Sequence, residues 1–284
     1  MVQTLPLLDE GCDVPRLCLC AFRGSSAEVT KERVRQFYSA GGRHFEVAEL
    51  FGNAHTVCEA LGELKASRSE LYITLKVWPK SRKLDDIVTS CTGLLHEVGL
   101  EYVDLLMIHA PIDVENKSDQ WKALEDLRDL GIAKSLGAVN LSSAGLTDLL
   151  KNCRIMPAVL EMEVTPFNQM CELTEFCSDS NMVVLVNEPL SKGIRAKHPV
   201  LQELAAELGG LPVELLLLRY AASKGHVVGV PVACLELLRD GAEAAVLEPL
   251  PEHVVRRLDR LDEGLGTAWV PREPTPLELE ELGL

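Results

Sequence analysis

Three titratable residues, Glu46, Lys76 and His109, each lie in a short apolar segment, one in each of three successive segments. A lysine inside a buried strand costs free energy unless it is paired, because burial disfavours its charge. Glu46 on the preceding segment is the natural partner for Lys76. Titratable groups that converge from neighbouring strands suit acid–base chemistry and form a candidate active site. The alternative is a structural ion pair beside a core histidine.

The elements that must position these residues form a repeating pattern. Eight short segments are rich in β-branched and aliphatic residues, and several are apolar nearly throughout, as in strands buried on both faces of a parallel sheet. They are RLCLCAF (16–22), HFEVAEL (44–50), LYITLKVW (71–78), VDLLMIHAP (103–111), SLGAVN (135–140), VLEMEVTPF (159–167), MVVLVNEPL (182–190) and HVVGVPV (226–232). Stretches with helical periodicity lie between them. The alternation favours an α/β fold, a (β/α)8 TIM barrel, whose active sites lie at the carboxyl ends of the strands.

The whole chain, residues 1–284, is expected to form a single domain, because no linker rich in Pro, Gly or Ser interrupts it. The leading TLPLLDEGCDVP is expected to form an N-terminal β-hairpin that plugs the barrel floor. The C-terminal tail, PREPTPLELEELGL, is expected to lie along the surface or over the barrel mouth. Its leucines at helical spacing also make it a candidate contact for a protein partner, although such a tail more often packs on its own barrel.

The composition argues against several classes of function. A formal net charge of −15 disfavours nucleic acid or an anionic membrane surface as a partner, and it makes any phosphate-bearing ligand dependent on a local basic patch. No apolar run approaches the roughly 20 residues that span a bilayer, so no membrane span is expected. The acidic N-terminus has no apolar core and does not resemble a secretory signal. These features favour a cytoplasmic location.

The nine cysteines are scattered without regular spacing, and Cys18 and Cys20 share one face of an alternating LCLC run. One interpretation is a metal pair, but no second Cys or His cluster completes four ligands. The favoured interpretation is that buried thiols act as small hydrophobic side chains. Their number then indicates a reducing compartment.

Longer stretches of the sequence resemble the aldo-keto reductase family. GGRHFEVAELFGNAHTVCEALGE is similar to the family signature, in which an Asp is followed five residues later by a Tyr within Tyr-Gly-Asn. LYITLKVWP resembles the family's lysine strand, and DLLMIHAP its histidine strand. The similarity continues through MPAVLEMEVTPFNQ, VNEPLSKG and LLLRYAASKGHVVGVP, so it covers nearly the whole chain. The resemblance implies a TIM barrel that binds NADPH and reduces small aldehydes and ketones.

The resemblance also implies a catalytic tetrad, whose positions here are Glu46, Phe51, Lys76 and His109. In the family, a Tyr protonates the carbonyl oxygen as hydride arrives, Lys and Asp lower the pKa of that Tyr, and His orients the substrate. Glu46 keeps the charge of the Asp and adds one methylene. Phe51 replaces the Tyr and has no proton to donate, although general acid catalysis is typically worth ~10²–10⁴ in rate. Lys76 or His109 remains as a substitute donor, directly or through water.

The family residues that hold nicotinamide are also changed. The Tyr on which the ring stacks is replaced by Asn187, in a run that reads NEPL and ends at Leu190. The Ser-Asn pair and the Gln that bind the nicotinamide amide become Val139, Asn140 and Glu161, so only Asn140 is kept. Loss of the ring stack removes roughly 0.5–1.5 kcal/mol of binding free energy.

The phosphate end of the cofactor site is changed as well. The family's Lys-Ser pair after the last strand is replaced by Val232 and Ala233, and Arg239 lies one position from the expected Arg. A phosphate without its Lys loses a charge-assisted contact worth roughly 1.5–3 kcal/mol. Glu161 and Glu188 add negative charge along the path of an anionic cofactor. We expect NADP(H) to bind more weakly than in the family, by roughly two to four decades.

Two functions from different classes follow. The first is a pseudoenzyme, a non-catalytic or nearly non-catalytic member of the fold that serves as a binding, regulatory or assembly subunit. The second is a working NADP(H)-dependent oxidoreductase that reduces aldehydes or ketones with Lys76 or His109 in place of the missing Tyr. A third interpretation is a lyase or isomerase step with Lys76 as base. The affinity for NADPH and NADH separates the first two functions.

Overall fold

The structure is a computed structural model of the 284-residue chain, and it describes residues 2–9, 11–22, 26–77, 84–108 and 117–266. Two parts of the sequence-based prediction, the role of His109 and the course of the C-terminal segment 271–284, lie outside the described residues. Within these ranges, no helix is long and apolar enough to cross a membrane.

The described chain begins with a β-hairpin made of β1 (Thr4–Pro6) and β2 (Asp13–Pro15), which pair antiparallel. Val14 on β2 is fully buried and belongs to one apolar cluster with Cys18 and Tyr72, which lie at the lower end of the barrel interior. The hairpin therefore covers the barrel floor, and the prediction of an N-terminal hairpin is confirmed.

Eight parallel strands form a closed barrel and follow one another around it in chain order. They are β3 (Leu17–Leu19), β4 (His44–Ala48), β5 (Tyr72–Val77), β6 (Val103–Ile108), β7 (Ala133–Val139), β8 (Val159–Met162), β9 (Val183–Val186) and β10 (Val227–Val230). The last strand pairs with the first, β10 with β3, and this pairing closes the barrel. Each strand overlaps one of the eight predicted segments, although β7 begins two residues before its segment, and the (β/α)8 prediction is confirmed.

Helices pack around the outside of the barrel. They are α1 (Ala27–Ser39), α2 (Ala54–Glu63), α3 (Leu84–Val98), α4 (Lys117–Asp129), α5 (Ser143–Asn152), α6 (Cys171–Asp179), α7 (Pro199–Glu207), α8 (Val213–Ser223), α9 (Ala242–Val246) and α10 (Glu252–Asp259). Short 3₁₀ segments occur at Glu49–Phe51, Arg68–Glu70, Ser191–Gly193 and Val232–Leu238. Both α7 and α8 lie between β9 and β10, whereas α9 and α10 follow β10.

Helix α1 illustrates why these segments are helical. Ser26 caps its first turn, where the hydroxyl oxygen accepts a hydrogen bond from the Val29 N–H over 3.2 Å. Val34 and Phe37 are fully buried, because their spacing places both on the face that packs against the barrel. Gly41, with φ of 97°, then turns the chain toward β4 in a conformation that favours glycine.

Strand alternation determines which side chains enter the barrel. The residues on either side of Glu46, Lys76 and Glu161 belong to the apolar cluster that joins the strands to the surrounding helices. Because side chains alternate between the two faces of a strand, these three polar residues must face the barrel interior. The fold thus directs two carboxylates and one ammonium group toward the same enclosed space.

Candidate active site

Lys76 on β5 lies at the centre of a buried polar cluster inside the barrel. Its ammonium nitrogen Nζ is 2.6 Å from Glu46 Oε1 on β4 and 2.9 Å from Glu161 Oε1 on β8. The Lys76 side chain is 7% exposed, and those of Glu46 and Glu161 are 2% and 0% exposed. The structure therefore places Lys76 beside Glu46, as the sequence indicates, and adds a second carboxylate from a strand three places away.

Two further hydrogen bonds extend this group. The Asn187 side chain, just after β9, donates from Nδ2 to Glu161 Oε1 over 3.0 Å. The backbone N–H of Ala21 donates to Glu46 Oε1 over 3.0 Å. We call the four side chains of Glu46, Lys76, Glu161 and Asn187 the Lys76 cluster. In this cluster a single oxygen of each carboxylate accepts two hydrogen bonds.

The charges of the cluster are strongly coupled. Burial lowers the pKa of Lys76, but the carboxylates of Glu161 and Glu46 outweigh burial and raise it overall, so the ammonium stays charged. The pKa of Glu46 is raised to about 7, first by burial and then by the charge of Glu161, against the opposing effect of Lys76. A lone Lys partner would lower the pKa of a carboxyl group. Here two carboxylates share one ammonium, and near neutral pH Glu46 holds a proton part of the time.

The second oxygen of each carboxylate is not satisfied by the described residues. Glu46 Oε2, Glu161 Oε2 and Asn187 Oδ1 are buried, and none accepts a hydrogen bond there. A buried acceptor without a donor typically costs about 1–3 kcal/mol. All three atoms belong to the Lys76 cluster, so the cluster carries acceptor oxygens that its own N–H groups do not satisfy in this arrangement.

Phe51 is the residue that the resemblance assigns to the position of the family's proton-donating Tyr. It ends the 3₁₀ segment Glu49–Phe51, and Gly52 then adopts a left-handed conformation with φ of 67°. Asn53 Nδ2 donates to the Phe22 carbonyl over 2.8 Å and so ties this turn to the chain that follows β3. The Phe51 side chain is half-buried, and its benzyl ring carries no group that can protonate a carbonyl oxygen.

Three of the candidate cofactor residues lie at one side of the barrel. Glu161 and Asn187 belong to the Lys76 cluster, and the Asn140 N–H donates to the Glu161 carbonyl over 2.8 Å. Asn140 adopts a left-handed backbone with φ of 50°, which Asn tolerates better than most residues. Leu190 is half-buried and precedes the 3₁₀ segment after β9. Two positions that the resemblance assigns to nicotinamide binding, Glu161 and Asn187, therefore form side-chain hydrogen bonds within the protein.

Arg239 stands apart from these residues. Its side chain is 77% exposed, and its guanidinium pairs with Glu236, three residues earlier. The resemblance assigns Val232 and Ala233 to the positions of the family's phosphate-binding Lys and Ser. In residues 231–241, the described stretch directly after β10, Arg239 is the only Lys or Arg and is already paired, so this stretch fits the 2′-phosphate of NADP(H) poorly.

Cys20, just after β3, borders the Lys76 cluster. Its Sγ donates to the Asn187 carbonyl over 3.7 Å, and burial raises the pKa of the thiol well above its usual range. Gly229 on β10 makes room for it, since a Cβ there would lie 2.5 Å from Cys20 Sγ and 2.4 Å from the Val186 carbonyl oxygen. All nine cysteines are free thiols. Among the described residues, no group of three or more His, Cys, Asp or Glu side chains is placed to hold a metal ion.

The sequence does not predict the contact between Glu161 and Lys76. Strand pairing places Glu161 opposite Val139, not beside Lys76, so their contact exists only across the interior of the closed barrel. The run VLEMEV does indicate that Glu161 has a buried partner, because an acidic residue between buried apolar neighbours must be paired or hydrogen-bonded. The run does not identify that partner.

Comparisons with known proteins agree with this architecture. The model of the aldo/keto reductase family matches residues 22–263. A 9,11-endoperoxide prostaglandin H2 reductase of Trypanosoma cruzi is 31% identical over 207 residues, which cover 72% of this chain and 73% of that protein. An aldo/keto reductase of Synechocystis is 30% identical over 254 residues, 78% of this chain and 77% of that protein. The crystal structure of a Bombyx mori aldo-keto reductase in complex with NADP is similar in fold, with a TM-score of 0.83 at 23% identity and coverage of 95% and 96%.

Proposed function

Because the chain belongs to the aldo/keto reductase family, we propose that it keeps the family barrel as a non-catalytic binding or assembly subunit. One observation carries this proposal: the tetrad lysine, Lys76, is bound by two buried carboxylates, at 2.6 Å from Glu46 and 2.9 Å from Glu161. Phe51 removes the proton donor from the same site. Loss of general acid catalysis alone lowers a rate by ~10²–10⁴.

The charge of the Lys76 cluster opposes carbonyl reduction further. A carbonyl that accepts hydride develops negative charge on its oxygen, and enzymes stabilise that charge with positioned donors or cations. Lys76 carries the only buried ammonium among the described residues, and this ammonium already forms ion pairs with two carboxylates. When Glu46 is ionised, the cluster carries a net negative charge. An alkoxide beside it would be destabilised, so the site lacks both the acid and the electrostatic stabilisation of the family reaction.

NADP(H) is the cofactor that the family resemblance implies, and the residues of this chain oppose its binding. The side chains of Glu161 and Asn187 form a hydrogen bond with each other, and Glu161 also forms an ion pair with Lys76. Val232 stands in place of the phosphate-binding Lys, and Arg239 pairs with Glu236. These changes affect independent parts of the cofactor, so their costs add when they do not compensate one another. We expect weak affinity for both NADPH and NADH.

The test is a calorimetric titration with NADPH and NADH at low salt, beside an assay for reduction of a panel of aldehydes and ketones. We expect no saturable binding up to millimolar cofactor and no turnover above that of Lys76→Met. A catalytically active family member serves as the positive control. Micromolar cofactor binding, together with turnover that Lys76→Met removes, would overturn the proposal.

A second candidate is a working reductase with a different acid, and Glu46 favours it. The pKa of Glu46 is raised to about 7, so its carboxyl group carries a proton in part of the molecules at neutral pH. It then joins Lys76 and His109 as a substitute for the missing Tyr. In that case the rate falls as pH rises through about 7, because the acid must be protonated. Glu46→Gln would abolish turnover, and a rate that is constant between about pH 6 and pH 8 would exclude Glu46 as the donor.

We also propose one domain for residues 1–284, a cytoplasmic location and a protein partner for the non-catalytic role. Nine free thiols support a reducing compartment. Fractionation of the native cell and size-exclusion chromatography coupled to light scattering test these points. Recovery of the protein from an oxidising compartment would contradict the location, and two independent unfolding transitions would contradict the single domain.

A further inference from the structure

The Lys76 cluster contains buried acceptor atoms that have no hydrogen-bond partner among the described residues. Glu46 Oε2, Glu161 Oε2 and Asn187 Oδ1 are buried without a hydrogen-bond partner among the described residues. Glu46 and Glu161 are 2% and 0% exposed in their side chains, so bulk water does not satisfy these oxygens freely. Three acceptors that come together in one place indicate a ligand that brings hydrogen-bond donors.

A fourth acceptor lies next to them. Glu188 follows Asn187 at the carboxyl end of β9, is half-buried, and forms no ion pair or hydrogen bond through its carboxylate with the described residues. Burial raises the pKa of Glu188, and the charges that act on it are, in decreasing order, those of Lys192, Glu163, Lys76 and Glu161. Lys192 is the nearby cation and is exposed. The charges of the described residues at this end of β8 and β9 are therefore negative overall.

Apolar side chains follow four of the strands at this end of the barrel. Phe22 follows β3, Phe51 follows β4, Leu190 follows β9 and Val232 follows β10, and all four are half-buried. They stand at the carboxyl ends of strands that are neighbours in the barrel. A site with a few convergent acceptors and apolar walls fits a ligand with a polar head and an apolar body.

We propose that the carboxyl end of the barrel binds a small organic cation, a primary ammonium group attached to an apolar body. The ammonium supplies three N–H donors and a positive charge. Glu46 Oε2, Glu161 Oε2 and the Glu188 carboxylate supply acceptors and negative charge for it. An anion is repelled by the same groups, and a neutral alcohol supplies one donor without the charge. The inference rests on the proposed function, because the site must be free of a nicotinamide cofactor.

The test compares three probes of similar shape by isothermal calorimetry: 2-phenylethylammonium chloride, 2-phenylethanol and 3-phenylpropanoate. We expect saturable binding of the ammonium, at least tenfold weaker binding of the alcohol, and no binding of the carboxylate. Charge-assisted contacts of about 1.5–3 kcal/mol correspond to about 10–100-fold in affinity. Glu188→Gln removes one such contact and is expected to weaken ammonium binding by about tenfold.

The matched control is Glu172→Gln, which makes the same charge change on the exposed first turn of α6 and should leave ammonium binding unchanged. Glu188 is only half-buried, so its Gln variant is expected to fold, and a thermal melt verifies this. Equal affinity for the ammonium and the alcohol, or unchanged affinity in Glu188→Gln, would overturn the inference. If neither the ammonium nor NADPH binds, this inference fails and the non-catalytic proposal stands. If NADPH binds at micromolar concentration and is turned over, the non-catalytic proposal fails.

Discussion

Lys76 keeps two carboxylates inside a barrel that would otherwise exclude them. Its ammonium contacts one oxygen of Glu46 and one oxygen of Glu161, and no other Lys or Arg among the described residues is buried. Burying a charge is costly, and removing one partner of a buried pair leaves the other uncompensated. The cluster therefore depends more on Lys76 than on either carboxylate, because loss of one carboxylate still leaves a balanced pair.

Lys76→Met should destabilise the protein by about 3–5 kcal/mol, since it leaves two buried carboxylates without a cation. The free energy of unfolding, measured by urea titration at neutral pH, checks this. Lys151→Met, at the exposed end of α5, is the control and should have little effect. The double variant Lys76→Met with Glu161→Gln should recover part of the loss. A loss below about 1 kcal/mol for Lys76→Met would show that the cluster is not energetically coupled.

Glu46 should make stability depend on pH. Its pKa is about 7 in the folded protein and near 4.5 when unfolded, so folding favours the protonated form. This contribution is fully present below about pH 4.5 and is lost as pH rises through about 7, by roughly 3 kcal/mol in total. Urea titrations of the wild type and Glu46→Gln at about pH 5 and pH 8 check it. The free energy of unfolding of Glu46→Gln, relative to that of the wild type, should be greater at the higher pH than at the lower pH. A difference that does not change with pH would contradict the raised pKa.

Phe51→Tyr alone should not restore carbonyl reduction. The new hydroxyl would meet an ammonium that two carboxylates already bind, and Glu161 and Asn187 would still hydrogen-bond each other. NADPH oxidation with a panel of aldehydes, measured by absorbance, is the readout. Turnover within tenfold of an active family member would show that the cofactor site retains more affinity than these contacts suggest.

At the scale of elements, the strands and the helices around them were the most predictable part of the molecule. Apolar runs identify β4, β5, β8 and β10 because each is buried on both faces, and the same runs predict the barrel. Neighbouring strands also identify Glu46 as the partner of Lys76. The sequences of these apolar segments give no information on contacts across the barrel interior, because those contacts depend on the twist and closure of all eight strands.

Barrel closure at β10 depends on Gly229, which has no side chain. A Cβ at Gly229 would lie 2.4 Å from the Val186 carbonyl oxygen, which is backbone and cannot move aside easily. Gly229→Ala should therefore destabilise the protein by about 1–3 kcal/mol. Gly62→Ala in α2 is the control, because no atom outside its own stretch of helix lies within 4 Å of its added Cβ, and it should be neutral or stabilise by up to about 1 kcal/mol. Equal effects of the two changes in urea titrations would contradict a close contact at β10.

At the scale of the whole molecule, the family fold is retained, and the loss of its chemistry remains our proposal. The family model covers residues 22–263, and the barrel is complete. Function depends on the side chains at the strand ends rather than on the barrel itself. The resemblance predicts the fold from the sequence, and the same resemblance identifies Phe51 and Asn187 as departures. The resemblance does not identify the contacts that the substituted residues make. Those contacts determine whether one substitution compensates for another.

The net charge of −15 repels every anionic ligand at long range. Any residual contact with NADPH should therefore strengthen when salt screens this repulsion, the reverse of binding that depends on Lys and Arg contacts to phosphate. Ligand-observed NMR at about 20 mM and about 300 mM NaCl measures the change. A signal that weakens as salt is added would reveal a basic phosphate site outside the described residues and would contradict this expectation.

The contact between Lys76 and Glu161 joins positions 85 residues apart. Bringing such distant parts of the chain together costs loop-closure entropy, so we expect this contact to form late in folding. Lys76 and its two carboxylates would still be hydrated when the rate-limiting barrier is crossed, and their mutual attraction would be gained only afterwards. A change at Lys76 should then accelerate unfolding much more than it slows folding. The polar cluster would in that case govern the lifetime of the closed barrel rather than the speed at which the barrel is reached.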